Sequence, residues 1–330
     1  STYIYMAIRR GPVAPPEAGT EVFSVNEGTP GFTVGFAADF NIHTTTSPGE
    51  NYAISRLTGD TREMRTDSTN AEANQPLTKW FTNGSASTVL DLATEWYAGT
   101  SNVISWSWKR APSFFDVVAY TGTGSPNIHA PTLSHSLGVP PEMVWVKKRS
   151  STSNWAVVSQ VGTGGVQAYL DLDNGNVGTL ATTGPSNVWS DYFTATQVIG
   201  NGGGGGASDS AFPVTHLNAT GNTYIMYLFA SLAGVSKVGS FTATGNDVDV
   251  DCGFSNGARF VLIKRTNSAD DWFVFDTARG IVAGNDKRLK LNSTAAEATA
   301  DNIDPLSSGF TMTAGILGSA GNTFIFYAIA

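Results

Sequence analysis

Asn322-Thr-Phe-Ile-Phe-Tyr-Ala-Ile329 stands at the end of this chain, and variants of it occur three times earlier. They read Thr2-Tyr-Ile-Tyr-Met-Ala-Ile8, Asn102-Val-Ile-Ser-Trp-Ser-Trp108 and Asn222-Thr-Tyr-Ile-Met-Tyr-Leu-Phe229. The last three copies follow the small turn residues Gly99-Thr-Ser, Thr220-Gly221 and Ala320-Gly321. Aromatic and β-branched runs bounded by such residues read as strands. Ile4, Ile104, Ile225 and Ile325 set a period of about 100 residues, stretched to about 120 in the middle, and a fixed period decides the architecture. It predicts an all-β fold of three tandem, β-sandwich-like modules, each closed by an aromatic strand. Residues 1–10 then form the closing strand of a preceding module, and residues 11–113, 114–234 and 235–330 are the three modules. On this reading the chain is a piece of a longer, repetitive protein.

The repeat continues inside the modules. Phe115-Asp-Val-Val-Ala-Tyr-Thr-Gly-Thr-Gly124 opens the second, and Val238-Gly-Ser-Phe-Thr-Ala-Thr-Gly245 opens the third. Hairpins follow: Met143–Arg149 with Trp155–Val158, Phe260–Arg265 with Trp272–Phe275, and Asp39–His43 with Tyr52–Leu57. A third shared element is Arg62–Ala73, matched by Arg288–Ala298 and by Ala168–Asn176. The extra length of the middle module lies around Asn201 and the run Gly202–Gly206, a composition suited to a loop tip. Basic pairs and prolines, Arg9-Arg-Gly-Pro12 and Lys109-Arg-Ala-Pro112, stop one sheet and lead into the next module. With no Ser/Gly-rich linker between them, the modules are expected to pack end to end as a semi-rigid rod.

Composition narrows the function classes. Charged residues make up 14% and aromatics 11% of the 330 residues, beside 36 glycines, the balance of a strand-and-turn protein. A net charge of −8 argues against a nucleic-acid groove, which needs clustered Lys and Arg. Cys252, the single cysteine, has no internal disulfide partner, so the cores must hold the modules. No apolar run approaches the roughly 20 residues that span a bilayer as a helix, and no signal peptide opens the chain.

Few side chains stand out as chemistry. His43, His129, His135 and His216 lie at no metal-ligand spacing, and Cys252 has no base beside it in sequence, so it reads as a small buried hydrophobe. Asp247, Asp249 and Asp251 alternate along one face of a strand, as oxygen ligands of Ca²⁺ would. A solvated edge that discourages sheet pairing explains the same three carboxylates. Asp171-Leu-Asp-Asn-Gly-Asn176 half resembles a calcium loop, but Asn174-Gly175 is more simply a turn. Trp189 and Tyr192 lie in the expanded half of the middle module and are the surface-binding candidates. Trp155 and Trp272 occupy equivalent hairpin positions and read as core.

Lys109–Gly124, His135–Arg149, Phe260–Arg265 with Trp272, and Gly321–Ile329 together resemble repeated β modules of virion structural and tail-associated proteins of tailed bacteriophages, many of them marine. The resemblance is tight over the second and third modules and looser over the first. It rests on strand and turn residues, and it supplies no catalytic residue or cofactor. It implies a non-enzymatic virion protein, part of a tail fibre or tail appendage, whose loops touch a host-surface glycan or protein. The partners it implies are copies of the same chain, with a homotrimer expected, and other virion proteins, without nucleic acid or membrane insertion. Alternatives from other classes are a carbohydrate-binding or polysaccharide-depolymerising module, a capsid decoration protein and a surface adhesin.

Overall fold

A computed structural model describes residues 14–29, 31–59, 61–74, 89–90, 101–124, 133–161, 166–175, 193–198 and 217–330. The first segment forms β1 (Phe23–Gly28), β2 (Phe32–Thr33), β3 (Phe40–Thr45), β4 (Tyr52–Ser55), β5 (Arg62–Arg65), β6 (Ala73–Asn74), β7 (Val89–Leu90) and β8 (Val103–Trp108). The second forms β9 (Phe115–Thr121), β10 (Leu133–Ser134), β11 (Met143–Lys148), β12 (Ala156–Ser159), β13 (Val166–Tyr169), β14 (Gln197–Val198) and β15 (Thr223–Phe229). The third forms β16 (Ser236–Thr242), β17 (Val248–Asp251), β18 (Phe260–Arg265), β19 (Trp272–Asp276), β20 (Asn285–Lys290), β21 (Ala298–Asp301), β22 (Ile303–Leu306), β23 (Gly309–Met312) and β24 (Thr323–Ile329). The fold is all-β and antiparallel. Among the described residues a short α-helix, α1 (Ala314–Leu317), precedes β24.

Three large sheets share one strand order. They run β1-β8-β3-β4-β5-β6, β9-β15-β11-β12-β13 and β16-β24-β18-β19-β20-β21. In each, the closing strand lies between the opening strand and the hairpin. The registers correspond: Trp108 pairs with Phe23 and Phe40, Phe229 with Phe115 and Met143, and Ile329 with Ser236 and Phe260. Small sheets, β2-β7, β10-β14 and β17-β23-β22, complete the architecture.

Burial explains the aromatic runs. Strand side chains alternate between faces, and here both faces of the closing strands are covered. Ile325, Tyr327 and Ile329 of β24 enter one core, while Phe324, Phe326 and Ala328 enter another with Val250, Phe310 and Met312 of the small sheet. In β15, Ile225, Tyr227 and Phe229 face the first core, and Tyr224, Met226 and Leu228 face a second outer core. In β8, Ile104, Trp106 and Trp108 point inward. Its other face carries Ser105 and Ser107, which Asn41 bridges through Nδ2 at 2.7 and 2.9 Å. Gly239 of β16 has a specific reason to be glycine, since a Cβ there would fall 2.3 Å from the Phe326 ring.

The inner core is one, not three. It joins Phe40, Trp106 and Trp108 to Trp145, Trp155 and Tyr227, and both groups to Phe260, Trp272 and Tyr327. Ring contacts cross every boundary: Phe40 to Tyr227 at 4.1 Å, Phe229 to Tyr327 at 5.0 Å, and Phe260 to Trp108 at 5.5 Å between centroids. The rod expected from the sequence is therefore corrected: the third sheet packs back onto the first. The connections allow it because each is a tight turn, Ala111–Phe115 and Leu232–Ser236, closed by a bridge. Ser113 (φ 60°) and Gly234 (φ 74°) occupy the same left-handed position in the two turns. The expected closing strand at residues 1–10 and the run Gly202–Gly206 lie outside the described residues.

Candidate functional site

Polar side chains concentrate at the three seams between large sheets, and their contacts follow a closed cycle. Trp155 donates its indole N–H to the Arg65 carbonyl at 2.7 Å, tying the second sheet to the first. Trp272 does the same to the Tyr169 carbonyl at 2.8 Å, tying the third to the second. At the third seam the register places Asn51 where the tryptophans stand. Its Nδ2 donates to the Lys290 carbonyl at 2.9 Å and also reaches the Leu291 and Ser293 carbonyls.

Two buried lysines repeat the stitch. Lys147 Nζ donates to the Thr69 carbonyl at 3.0 Å, and Lys264 Nζ donates to the Asp173 carbonyl at 2.8 Å. Burial pulls each ammonium down to about 8; Asp171 opposes the shift at Lys147, and Asp270, Asp173 and Asp271 oppose it at Lys264. A lysine so perturbed could serve as a base, but both are spent on backbone carbonyls.

The seam between third and first sheets instead holds a buried ion cluster. Arg279 Nη2 meets Asp276 Oδ2 at 2.7 Å with both side chains fully buried, and Glu297 Oε2 lies 3.4 Å from Arg279 Nη1. Trp106 Nε1 donates to the same Asp276 oxygen at 3.0 Å, and the Arg279 guanidinium lies 5.6 Å from the Trp106 ring centre. Between the first and second sheets the corresponding pair is Arg149 with Glu72, bidentate at 2.6 and 3.1 Å.

At one end of the molecule the three hairpin turns are pinned by the asparagine that begins each repeated strand. Asn102 Nδ2 donates to Ser47 Oγ at 2.8 Å; Asn222 Oδ1 accepts from Ser150 and Ser151 at 2.9 and 3.2 Å; Asn322 Oδ1 accepts from Arg265 Nη2 at 2.6 Å. Beside the last turn opens a cleft of about 670 Å³, bounded by β16, β24, the Thr266–Ser268 turn, and Val166 and Gly175 of the second segment. Its lining is hydroxyl-rich, while the rings of Phe241 and Phe324, stacked at 5.2 Å, turn to the other sheet face and pack on the outer core.

The residues singled out from sequence fare differently. Asp247, Asp249 and Asp251 are exposed and each accepts a local hydrogen bond, from Ala314 N, Thr311 Oγ1 and Gly253 N. Among the described residues no group of three or more His, Cys, Asp or Glu is placed to hold a metal ion. Asp171 accepts from Trp155 N and Asn154 Nδ2, both at 2.8 Å, so it closes a hairpin. His135 is clamped between the Thr194 carbonyl and the Leu137 amide. Cys252 is buried, and that burial pushes its thiol up to about 12. Trp189, Tyr192, His129 and His216 lie outside the described residues. Sequence reading missed Asn51, Lys147, Lys264 and the Asp276–Arg279–Glu297 cluster. Their one signal was an alternation of charged or amide residues with aromatic core positions.

No helix among the described residues is long and apolar enough to cross a membrane. A comparison with curated proteins finds no match to the chain. Residues 23–330, which contain all three large sheets, match a protein family described as "Domain of unknown function (DUF7483)", and the chain belongs to that family.

Proposed function

We propose that this chain is a non-enzymatic structural unit of a tailed-phage virion, part of a tail fibre or tail appendage, that meets the host surface through its polar loop end. The observation that carries the reading is the set of three hairpin turns at one end, each pinned by the same asparagine to a body buried on both faces of its sheets. Loops held on a rigid scaffold are where contact specificity resides. The strongly perturbed lysines and the buried ion cluster support it from another side, because they join sheets to one another. The resemblance of the strand and turn motifs to virion modules supplies the particle. An antiserum against the chain should label the tail region of particles whose genome encodes it, seen by immunogold microscopy. Particles that carry no label while the free protein accumulates in the lysate would sink this reading.

A further inference from the structure

The cleft beside the Thr266–Ser268 turn has a lining that selects a ligand class. Among the described residues no charged side chain lines it: Ser240, Thr242, Thr266, Ser268 and Thr323 present hydroxyls and Asn267 an amide. The two basic residues just before the turn are engaged elsewhere. Lys264 holds the Asp173 carbonyl, and Arg265 holds Asn267 Oδ1 at 3.1 Å and Asn322 Oδ1 at 2.6 Å. An ionic ligand entering here would lose its water without gaining a counter-charge, which is costly.

The turn side of the cleft is fixed in advance. Asn267 also donates from Nδ2 to the Gly321 carbonyl at 3.2 Å, and Thr266 Oγ1 lies 2.7 Å from Thr323 Oγ1. Beside them on the same sheet face, with Thr242 paired to Thr323, Ser240 and Thr242 of β16 are exposed and make no side-chain hydrogen bond to the described residues. β16 is also the outer strand of its sheet. Polar groups fixed at the turn and open hydroxyls along β16 match a neutral molecule that carries many hydroxyls of its own. The volume falls in the range of about 300–1,000 Å³ typical of small-ligand sites, and a seam between packed units is a common place for one.

We propose that this cleft binds a neutral oligosaccharide, with Ser240 and Thr242 as hydrogen-bonding residues. The inference deepens the host-contact reading above and rests on it for the biological source of the sugar. A charged glycan is disfavoured by the uncharged lining. An extended peptide added to the edge of β16 would be held by backbone groups, so its affinity would not depend on the two hydroxyls.

The test uses the full chain on an array of neutral, sialylated and sulfated glycans, followed by calorimetric titration of the strongest neutral binder. The expected result is binding of neutral structures, little weakened by added salt. The double substitution Ser240→Val and Thr242→Val, at exposed strand positions that tolerate valine, should lower affinity about tenfold or more with an unchanged melting temperature. Absence of any neutral binder overturns the proposal, as does binding that the double variant leaves intact. Adhesion of the chain to host cells that survives both the double variant and neutral-glycan competition also overturns it, while leaving the appendage reading standing.

Discussion

His43 shows at the residue scale how burial fixes a side chain's chemistry. It is fully enclosed in the first sheet, where Nδ1 lies 2.8 Å from Asn41 Oδ1. Asn41 spends its Nδ2 on Ser105, Ser107 and the Trp106 carbonyl, so its oxygen accepts and His43 Nδ1 carries the proton. Burial lowers the imidazole from its ordinary 6.5 to about 3. The unfolded chain therefore takes up a proton near pH 6.5 that the folded chain refuses until about pH 3. Its contribution to stability is complete above pH 6.5 and drains away as pH falls through that window, at about 1.4 kcal/mol per unit. Urea denaturation should show stability declining from pH 6.5 to 5, and His43→Phe should flatten that limb. An unchanged slope in the variant would show that His43 is not the group responsible. Sequence reading found no metal partner for this histidine, but nothing local revealed that a distant Asn41–Ser105–Ser107 network encloses it. That network is a product of strand pairing across 64 residues.

Among the elements, the closing strands were the most legible. A strand buried on both faces keeps apolar residues at nearly every position, so β15 and β24 stand out as unbroken runs. The hairpins and the core positions of Trp155 and Trp272 were legible for the same reason. Asn51 was not, because an amide takes over the hydrogen bond that indoles make at the other two seams, and no similarity of side chains marks the substitution. Asn51→Leu leaves the Lys290 and Ser293 carbonyls without that donor at a buried seam. At about 1–3 kcal/mol per buried unsatisfied group, the variant should lose about 2–4 kcal/mol in chemical denaturation. Trp155→Phe removes a single bond and should cost less. A loss below about 0.5 kcal/mol for Asn51→Leu would mean that water or a rearranged backbone replaces the amide. The calcium reading of Asp247, Asp249 and Asp251 illustrates the opposite limit. Alternation puts three carboxylates on one face, yet their local partners and exposure come from β23 and the turns beside it, which spacing alone does not encode.

For the whole molecule, the internal period predicted like segments but was silent on how they meet. A line and a closed cycle have the same repeat. What distinguishes them is the pair of tight turns between sheets and the set of side chains that reach from the third sheet back to the first. That closure is the central claim, and two backbone amides report on it directly. Gly49 N–H donates to the Thr294 carbonyl at 3.0 Å, and Glu297 N–H donates to the Thr46 carbonyl at 2.9 Å, each bond joining the first segment to the third. Residue-resolved hydrogen exchange of the intact chain is the measurement to make. In the closed arrangement both amides open only with the shared core, so they should exchange within about tenfold of the slow amides of β18 and β24. Exchange of Gly49 and Glu297 at unprotected rates, while β18 and β24 stay protected, would contradict the shared core and restore the rod.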